Sequence, residues 1–384
     1  MIVTRLILKN WRNFKHVDVV LGDRVFLVGP NAAGKSNFLE VFRFLRDIAK
    51  AEGGGLQEAL RQLGGLRKIR CLAAKGKPNV EIEVHLGEPG KVVPLWKYSI
   101  GLEQKGGESE PPRLVYERIE RRDGWKKNRP DEDDKLDPER LQQTYLETTF
   151  ENAEFRDVAK FFDGVTYLHL VPQLVRHAES ISAPRVTGDP FGLQFMRRLS
   201  DTEKGKRTKL LQRIEKALRV AVPHFKQLRY VEDKRGNPHV EVIYKHWRPF
   251  GARQQEDQFS DGTIRMLGLF WALLETSGVL LLEEPELSLN NAIVRQIPAL
   301  MHELSGGNGR QLIVSTHSYA LLADRGVGLE EVLLLEPHTE GTKVTRASER
   351  KLVRSLVEGG MSVGEAALPI TDPPKVEQMT LALP

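Results

Sequence analysis

The nine residues GPNAAGKSN, Gly29 to Asn37, follow the apolar run VFLV and precede the apolar-periodic run FLEVFRFL. A G-x-x-x-x-G-K-S string between a strand and a helix fixes a great deal at once. Its backbone N–H groups can curl around phosphates, Lys35 can reach the β and γ oxygens, and the Ser36 hydroxyl is left for Mg²⁺. The chain must therefore supply a buried strand, a glycine turn and a helix in that order, and the string predicts a loop that holds a nucleotide phosphate.

The surroundings extend this α/β beginning. Val3–Lys9, Val17–Leu21 and Val25–Gly29 read as short strands, and the helix after the loop runs to about Ala51. From Asn79 to Leu102 the alternation in VEIEVHL and VPLWKYSIGLE predicts further antiparallel strands, and RIERRDGWKKN carries an Asp-Gly turn that closes a charged hairpin. GGESEPP and RPDEDDKLDPE are polar, proline-bearing breaks. Leu210, Leu211, Ile214, Ala217, Leu218 and Ala221 recur on one helical face, after which PHFKQLRYVEDKRGNPHVEVIY returns to strand alternation around a Gly-Asn turn. No heptad run of several repeats lies between Ser36 and Ser260, which excludes a long coiled-coil arm there.

With 384 residues and 40% apolar content, the chain can bury one large core or two modest ones. No apolar run reaches about eighteen residues, and MIVTRLILKN lacks the pattern of a signal peptide, so a cytoplasmic protein without a membrane partner is expected. A single cysteine, Cys71, excludes an intramolecular disulfide and any CxxC zinc device. The net charge of +5 is compatible with nucleic acid without demanding it. Arg61, Arg67, Lys68, Arg70, Lys75 and Lys77 share a window free of acids, and Lys204, Lys206, Arg207, Lys209, Arg213, Lys216 and Arg219 lie on one predicted helix. Each run is either a solvated face or a DNA contact.

Three motifs follow late in the chain. The apolar run Val279–Leu282 reads as a buried strand ending in Glu283 and Glu284, two carboxylates emerging beside the phosphate loop. One can hold Mg²⁺ or its water while the other orients an attacking water. A second strand, Leu312–Val314, leads into Ser315, Thr316 and His317, where a histidine can sense a γ-phosphate. Ser260, Asp261 and Gly262 open a helix whose N-terminus suits an anion, with Ser260 serving equally as a simple cap.

LKNWRNF, GPNAAGKSN, SDGTIR, LLLEEPE and STHS, in that order, resemble the RecF/OLD/SMC-related branch of ABC ATPases, over roughly residues 1–90 and 255–340. The resemblance implies an ABC-type P-loop ATPase head with an antiparallel N-terminal lobe and an inserted helical and β lobe. It further implies a homodimer in which two heads sandwich two ATP molecules, each held by one subunit's phosphate loop and the other's signature. By position, Gly29, Asn31, Gly34, Lys35, Ser36 and Asn37 would bind phosphates and Mg²⁺, Arg12, Asn13 and Phe14 would lie near adenine and ribose, and Glu284 would be the catalytic carboxylate. His317 would be the switch histidine, and Ser260 with Gly262 the signature contacts in trans. Glu283 stands on the metal side where Asp is commonest, and Asn290 stands where many relatives have His. A Q-loop glutamine is also implied, with Gln57, Gln62 and Gln173 all open.

The expected division is residues 1–103 for the N-terminal part of the head, 104–250 for the inserted lobe, 251–345 for the C-terminal part of the head and 346–384 for a helix and extended tail. A transporter subunit is disfavoured by the SDGT signature, an SMC-like armed protein by the missing heptads, and a complete OLD nuclease by the short stretch after His317. What remains is a switch ATPase acting in DNA repair or recombination, or one gating a separate nuclease or effector in anti-phage defence. The tail QMTLAL resembles the peptide by which bacterial DNA-processing proteins dock on the sliding clamp, with Gln378 at a pocket rim and Met379, Leu381 and Leu383 as apolar anchors.

Overall fold

The computed structural model describes residues 1–76, 78–91, 93–105, 110–178, 189, 191–247, 251–275, 278–305 and 310–372. Lys77 and the clamp-like residues Gln378, Met379, Leu381 and Leu383 lie outside them. No helix among the described residues is long and apolar enough to cross a membrane.

The described strands, β1 to β15 in chain order, form three sheets. The first is antiparallel in the order β2 (Phe14–Val20), β1 (Ile2–Trp11), β4 (Val80–Gly87), β5 (Trp96–Glu103), β6 (Arg113–Arg121), β7 (Lys126–Arg129). The second runs β15 (Lys343–Arg346), β14 (Val332–Glu336), β3 (Arg24–Val28), β13 (Gln311–Thr316), β12 (Val279–Glu283), β8 (Thr166–Leu168), with β14 to β8 parallel and β15 antiparallel at one edge. A third, small antiparallel sheet consists of β11 (Ala252–Gln255), β10 (Pro238–Tyr244) and β9 (Phe225–Glu232).

The parallel sheet is apolar on both faces because each face has its own core. Val25, Leu27, Leu281, Ile313 and Leu333 point toward the helix Lys35–Ala49 and the first sheet. Their neighbours Phe26, Val28, Leu282, Val314 and Leu334 point toward the helix Asp261–Glu275 and the C-terminal helices. Alternation with period two divides one run between two cores, so VFLV and VLLL read as continuously hydrophobic. The helix Lys35–Ala49 buries Phe38, Leu39, Phe42 and Leu45 on a single face.

Two segments of 104–250 join the two larger sheets. β6 and β7 complete the antiparallel sheet, and β8 pairs with β12 as the edge of the parallel sheet. A strand of three residues carries too little periodicity to be placed from sequence. The two predicted turns are present. Asp123 Oδ1 accepts from Trp125 N at 3.1 Å beside Gly124 at φ 95°, and Asp233 Oδ1 accepts from Asn237 N at 2.8 Å beside Gly236 at φ 83°.

The N-terminal lobe contains a buried acid. Glu117 has no exposed surface; its two carboxylate oxygens accept from Tyr98 Oη at 2.9 Å and from Tyr145 N at 2.7 Å. Burial pushes the carboxyl from 4.5 up to about 7, against the pull of those two bonds and the Arg129 charge. Between these values the folded protein holds a proton that the unfolded chain has released, so stability falls as pH rises through the window, by on the order of 3 kcal/mol. Glutamine can keep both bonds, because the Tyr98 hydroxyl can turn to accept. In urea titrations at about pH 5 and about pH 8, Glu117→Gln should gain on the wild type by roughly that amount at the higher pH; parallel pH profiles would contradict the shifted carboxyl.

Candidate functional site

The C-terminal ends of β3, β12 and β13 lie side by side, because β13 pairs in parallel with both others. Each strand must shed its buried apolar sequence at that edge, and each does so into polar residues: the glycine loop after Val28, Glu283 and Glu284, and Thr316 and His317.

The loop leaves little room for alternatives. A Cβ on Gly29 would lie 2.6 Å from the Leu335 carbonyl oxygen, and one on Gly34, whose φ is +98°, would lie 2.2 Å from Asn13 Nδ2. Lys35 is 7% exposed, and its Nζ donates to the carbonyls of Gly29 at 2.8 Å and Pro30 at 3.1 Å. Burial pulls the ammonium's pKa down, opposed by Glu284, Glu283 and Glu286. Asn31 and Ser36 are exposed on the loop, and Asn37 Nδ2 donates to Asn13 Oδ1 at 2.8 Å.

Ser36 Oγ donates to Glu283 Oε1, and Tyr167 Oη donates to Glu283 Oε2. Among the described residues no cluster of three His, Cys, Asp or Glu could hold a metal by itself. A Mg²⁺ site shared with nucleotide phosphates needs no such cluster, since one or two protein oxygens suffice. The hydroxyl of Ser36 in contact with the Glu283 carboxylate is a donor set of that kind.

Glu284 sits just past the end of β12 at φ 45°, a left-handed backbone that a non-glycine residue adopts at a cost. Its Oε1 lies 3.0 Å from His317 Nε2, and this hydrogen bond holds the carboxyl below its ordinary range despite partial burial. Glu286 anchors the histidine from behind: its Oε1 accepts from Thr316 Oγ1 at 2.5 Å and from His317 N at 3.1 Å. Burial raises the Glu286 carboxyl, and its Oε2 is buried with no hydrogen-bond partner.

Ser260 caps the helix Asp261–Glu275, its Oγ accepting from Thr263 N at 3.2 Å, while Asp261 pairs with Arg176 at 2.5 Å. Gly262 lies against the loop after Glu286, where an added Cβ would stand 2.9 Å from the Ser288 carbonyl oxygen. Among the described residues no hydrogen bond joins Ser260 to the phosphate loop. Asn290 caps the next short helix, accepting from Ala292 N at 2.8 Å.

The N-terminal residues need a finer account. Arg12 and Asn13 line a cavity of about 1260 Å³ beside the loop, together with Asn37, Arg67, Lys68 and Arg70. Asn13, however, is a strut of the loop: its Nδ2 donates to the Ala33 carbonyl at 2.7 Å and to Thr342 Oγ1 at 2.6 Å. Arg12 pairs with Glu40 at 2.7 Å. The Phe14 ring does not reach the cavity, because it is wholly buried against Phe38, with centroids 6.3 Å apart. It is buried at the start of β2 although strict alternation from Val17 and Val19 would bury Lys15 instead.

Sequence reasoning passed over Glu286, Tyr167 and His169. Glu286 was visible in EEPE, but only the fold shows it bonded to the His317 backbone. Tyr167 lies within the unseen strand β8 and His169 just after it, and His169 Nδ1 is 3.3 Å from the Glu283 carbonyl oxygen. Of the three glutamines, Gln57 bonds the Pro112 and Gln142 carbonyls and Gln62 bonds Glu58, whereas Gln173 is exposed 3.4 Å from Asp261 at the start of the helix Asp261–Glu275.

The family model described as "AAA domain, putative AbiEii toxin, Type IV TA system" matches residues 24–323. The DNA replication and repair protein RecF of Bacillus mycoides (strain KBAB4) is 26% identical over 96 residues, covering 25% of this chain and 26% of that protein. The match thus spans about a quarter of that relative's length. Among solved structures, the Smc head domain with an extended coiled coil bound to the C-terminal domain of ScpA, from Pyrococcus furiosus, has a TM-score of 0.51 at 13% identity, over 93% of this chain and 99% of that one. The SMC head domain from Thermotoga maritima gives 0.45 at 13% identity, over 90% and 99%. The fold is that of an ABC-type P-loop ATPase head.

The contact between Gly34 and Asn13 makes a quantitative expectation. Gly34→Ala should lower unfolding free energy by about 2–4 kcal/mol, combining left-handed backbone strain with displacement of the Asn13 amide. In an Asn13→Ala background the same change should cost only the strain, about 1–2 kcal/mol. Equal costs in both backgrounds, measured by urea denaturation, would show that the collision is not what requires glycine.

Proposed function

Because the chain belongs to this AAA-domain family, whose ABC-type members hydrolyse ATP, we propose that it is a switch ATPase whose heads associate on ATP and act in DNA metabolism. The observation that carries the reading is the meeting of Lys35, the Ser36–Glu283 contact and the Glu284–His317 pair at three adjacent strand ends.

Each group has work suited to its surroundings. The loop N–H groups and Lys35 receive the phosphates, with Lys35 exchanging two carbonyl contacts for phosphate oxygens. Ser36 and Glu283 would hold Mg²⁺, which would offset phosphate charge. Glu284, kept ionised by His317, orients the attacking water, and His317 is held in register by Glu286. We assign Gln173, beside the signature, as the Q-loop glutamine. Ser260 bonds within its own helix, to Thr263, and among the described residues no hydrogen bond joins it to the phosphate loop, which suits a signature offered to a second head.

Glu284→Gln should retain ATP while hydrolysing it at least about a hundredfold more slowly, and Lys35→Ala should lose binding. Sedimentation of Glu284→Gln with ATP should reveal a dimer absent without nucleotide. A monomer with ATP bound would sink the switch; hydrolysis at the wild-type rate would sink the assignment of Glu284.

The RecF match favours DNA as the polymer served, and one of the two basic runs supports it. In the window from Arg61, Arg61 pairs with Glu58, and Arg67, Lys68 and Arg70 line the cavity beside the phosphate loop. On the helix Lys204–Ala221, Arg207 stacks on Tyr230 at 3.6 Å and Arg219 pairs with Glu215, whereas Lys206, Lys209, Arg213 and Lys216 form an exposed stripe at helical spacing. Duplex binding should be sequence-tolerant and weaken steeply with salt, and Lys209→Glu with Arg213→Glu should reduce the salt slope by about 2 while sparing ATP hydrolysis. Binding unaffected by charge reversal would return the stripe to solvent. The family description favours a second reading, an ATPase gating a separate toxin or nuclease in defence; co-purification of an effector released by ATP, with no DNA binding, would select it.

A further inference from the structure

Glu283 carries one methylene more than the aspartate commonest at its position, and a longer carboxylate has more ways to approach a cation. The structure removes that freedom. Tyr167 on β8 is in register with Leu281 on β12, so its ring projects from the same sheet face as Glu283, two residues on. Its hydroxyl takes the Glu283 oxygen that Ser36 does not, and the ring is only 4% exposed. Behind the ring stands Arg43, its guanidinium carbon 4.3 Å from the centroid. Arg43 lies seven residues after Ser36 on the same helix, two turns along the same face. The helix therefore grips the carboxylate directly through Ser36 and indirectly through the arginine that backs the tyrosine.

We infer that Tyr167 is a positioning residue that confines Glu283 to a single oxygen toward the cation, and so sets the preference of this site for Mg²⁺ over Ca²⁺. Small Mg²⁺ takes carboxylates through one oxygen in a strict geometry, whereas Ca²⁺ accepts two from a flexible one. A tyrosine hydrogen bond on the outer oxygen leaves only the inner one free to turn toward Ser36. Removing the hydroxyl frees the pair. The inference rests on the nucleotide-binding reading above and concerns a residue that touches neither nucleotide nor reacting atoms.

The test is equilibrium binding of a fluorescent ATP analogue in EDTA, Mg²⁺ and Ca²⁺. Tyr167→Phe should weaken the Mg²⁺-dependent part about tenfold, the scale of losses from groups that orient a metal ligand, and weaken the Ca²⁺-dependent part less. In Glu283→Asp the shorter carboxylate withdraws from the hydroxyl, so adding Tyr167→Phe should change neither value further. Thermal melts without metal report any packing loss from the removed hydroxyl. An unchanged Mg²⁺ to Ca²⁺ ratio in Tyr167→Phe, or the same loss in both backgrounds, overturns the role of Tyr167 alone. Absence of Mg²⁺-dependent nucleotide binding by the wild-type protein overturns the reading it rests on as well.

Discussion

The parallel sheet is buried on both faces, and much of the molecule follows from that burial. Its central strands have no solvated side on which to carry polar groups, so chemistry is driven to the strand ends. Because β3, β12 and β13 are parallel neighbours, their ends meet at one edge, bringing together residues separated by more than two hundred positions in sequence. The phosphate loop, the carboxylate pair and the histidine are neighbours for this reason. The antiparallel sheet and the inserted lobe then cover opposite faces, each completing a separate core.

Support for the site comes from groups whose job is to hold other groups. Asn13 spends its amide on the loop, Glu286 on the strand end that carries His317, and Tyr167 on Glu283. In each, a side chain outside the reacting set fixes a group of the loop, a strand end or a carboxylate, and the value of these bonds lies in limiting motion more than in adding stability.

The parts legible in the sequence were those with a local physical cause. The glycine turn requires particular residues at particular spacing, the doubly buried strands show as unbroken apolar runs, and the helix Lys204–Ala221 and the hairpin after it have clear periods. The strut role of Asn13 was not legible, because it depends on the return of Thr342 from the far end of the chain. Phe14 looked like a site residue by motif position, yet its ring packs into the core against Phe38, out of step with the alternation of Val17 and Val19. β8 was invisible at three residues, and Tyr167 with it. The basic runs show the same limit: composition counted the charges, but only the fold separates those paired with acids or turned toward the cavity from those standing in water.

The close approach of Gly262 to Ser288 has a mechanical meaning. With a hypothetical Cβ only 2.9 Å from the opposing carbonyl oxygen, the start of the helix Asp261–Glu275 and the loop beyond Glu286 touch backbone to backbone, with no side chain between them to bend. A side chain would act as a spring and absorb a small displacement; bare backbone acts as a strut. Whatever pushes on the tip of the helix Asp261–Glu275 therefore loads the short segment between Ser288 and Glu284 in series, and that segment already holds a residue at positive φ. The compliance of the carboxylates is thus set partly by a helix that meets their segment through backbone alone, and one glycine hydrogen is the whole thickness of the bearing.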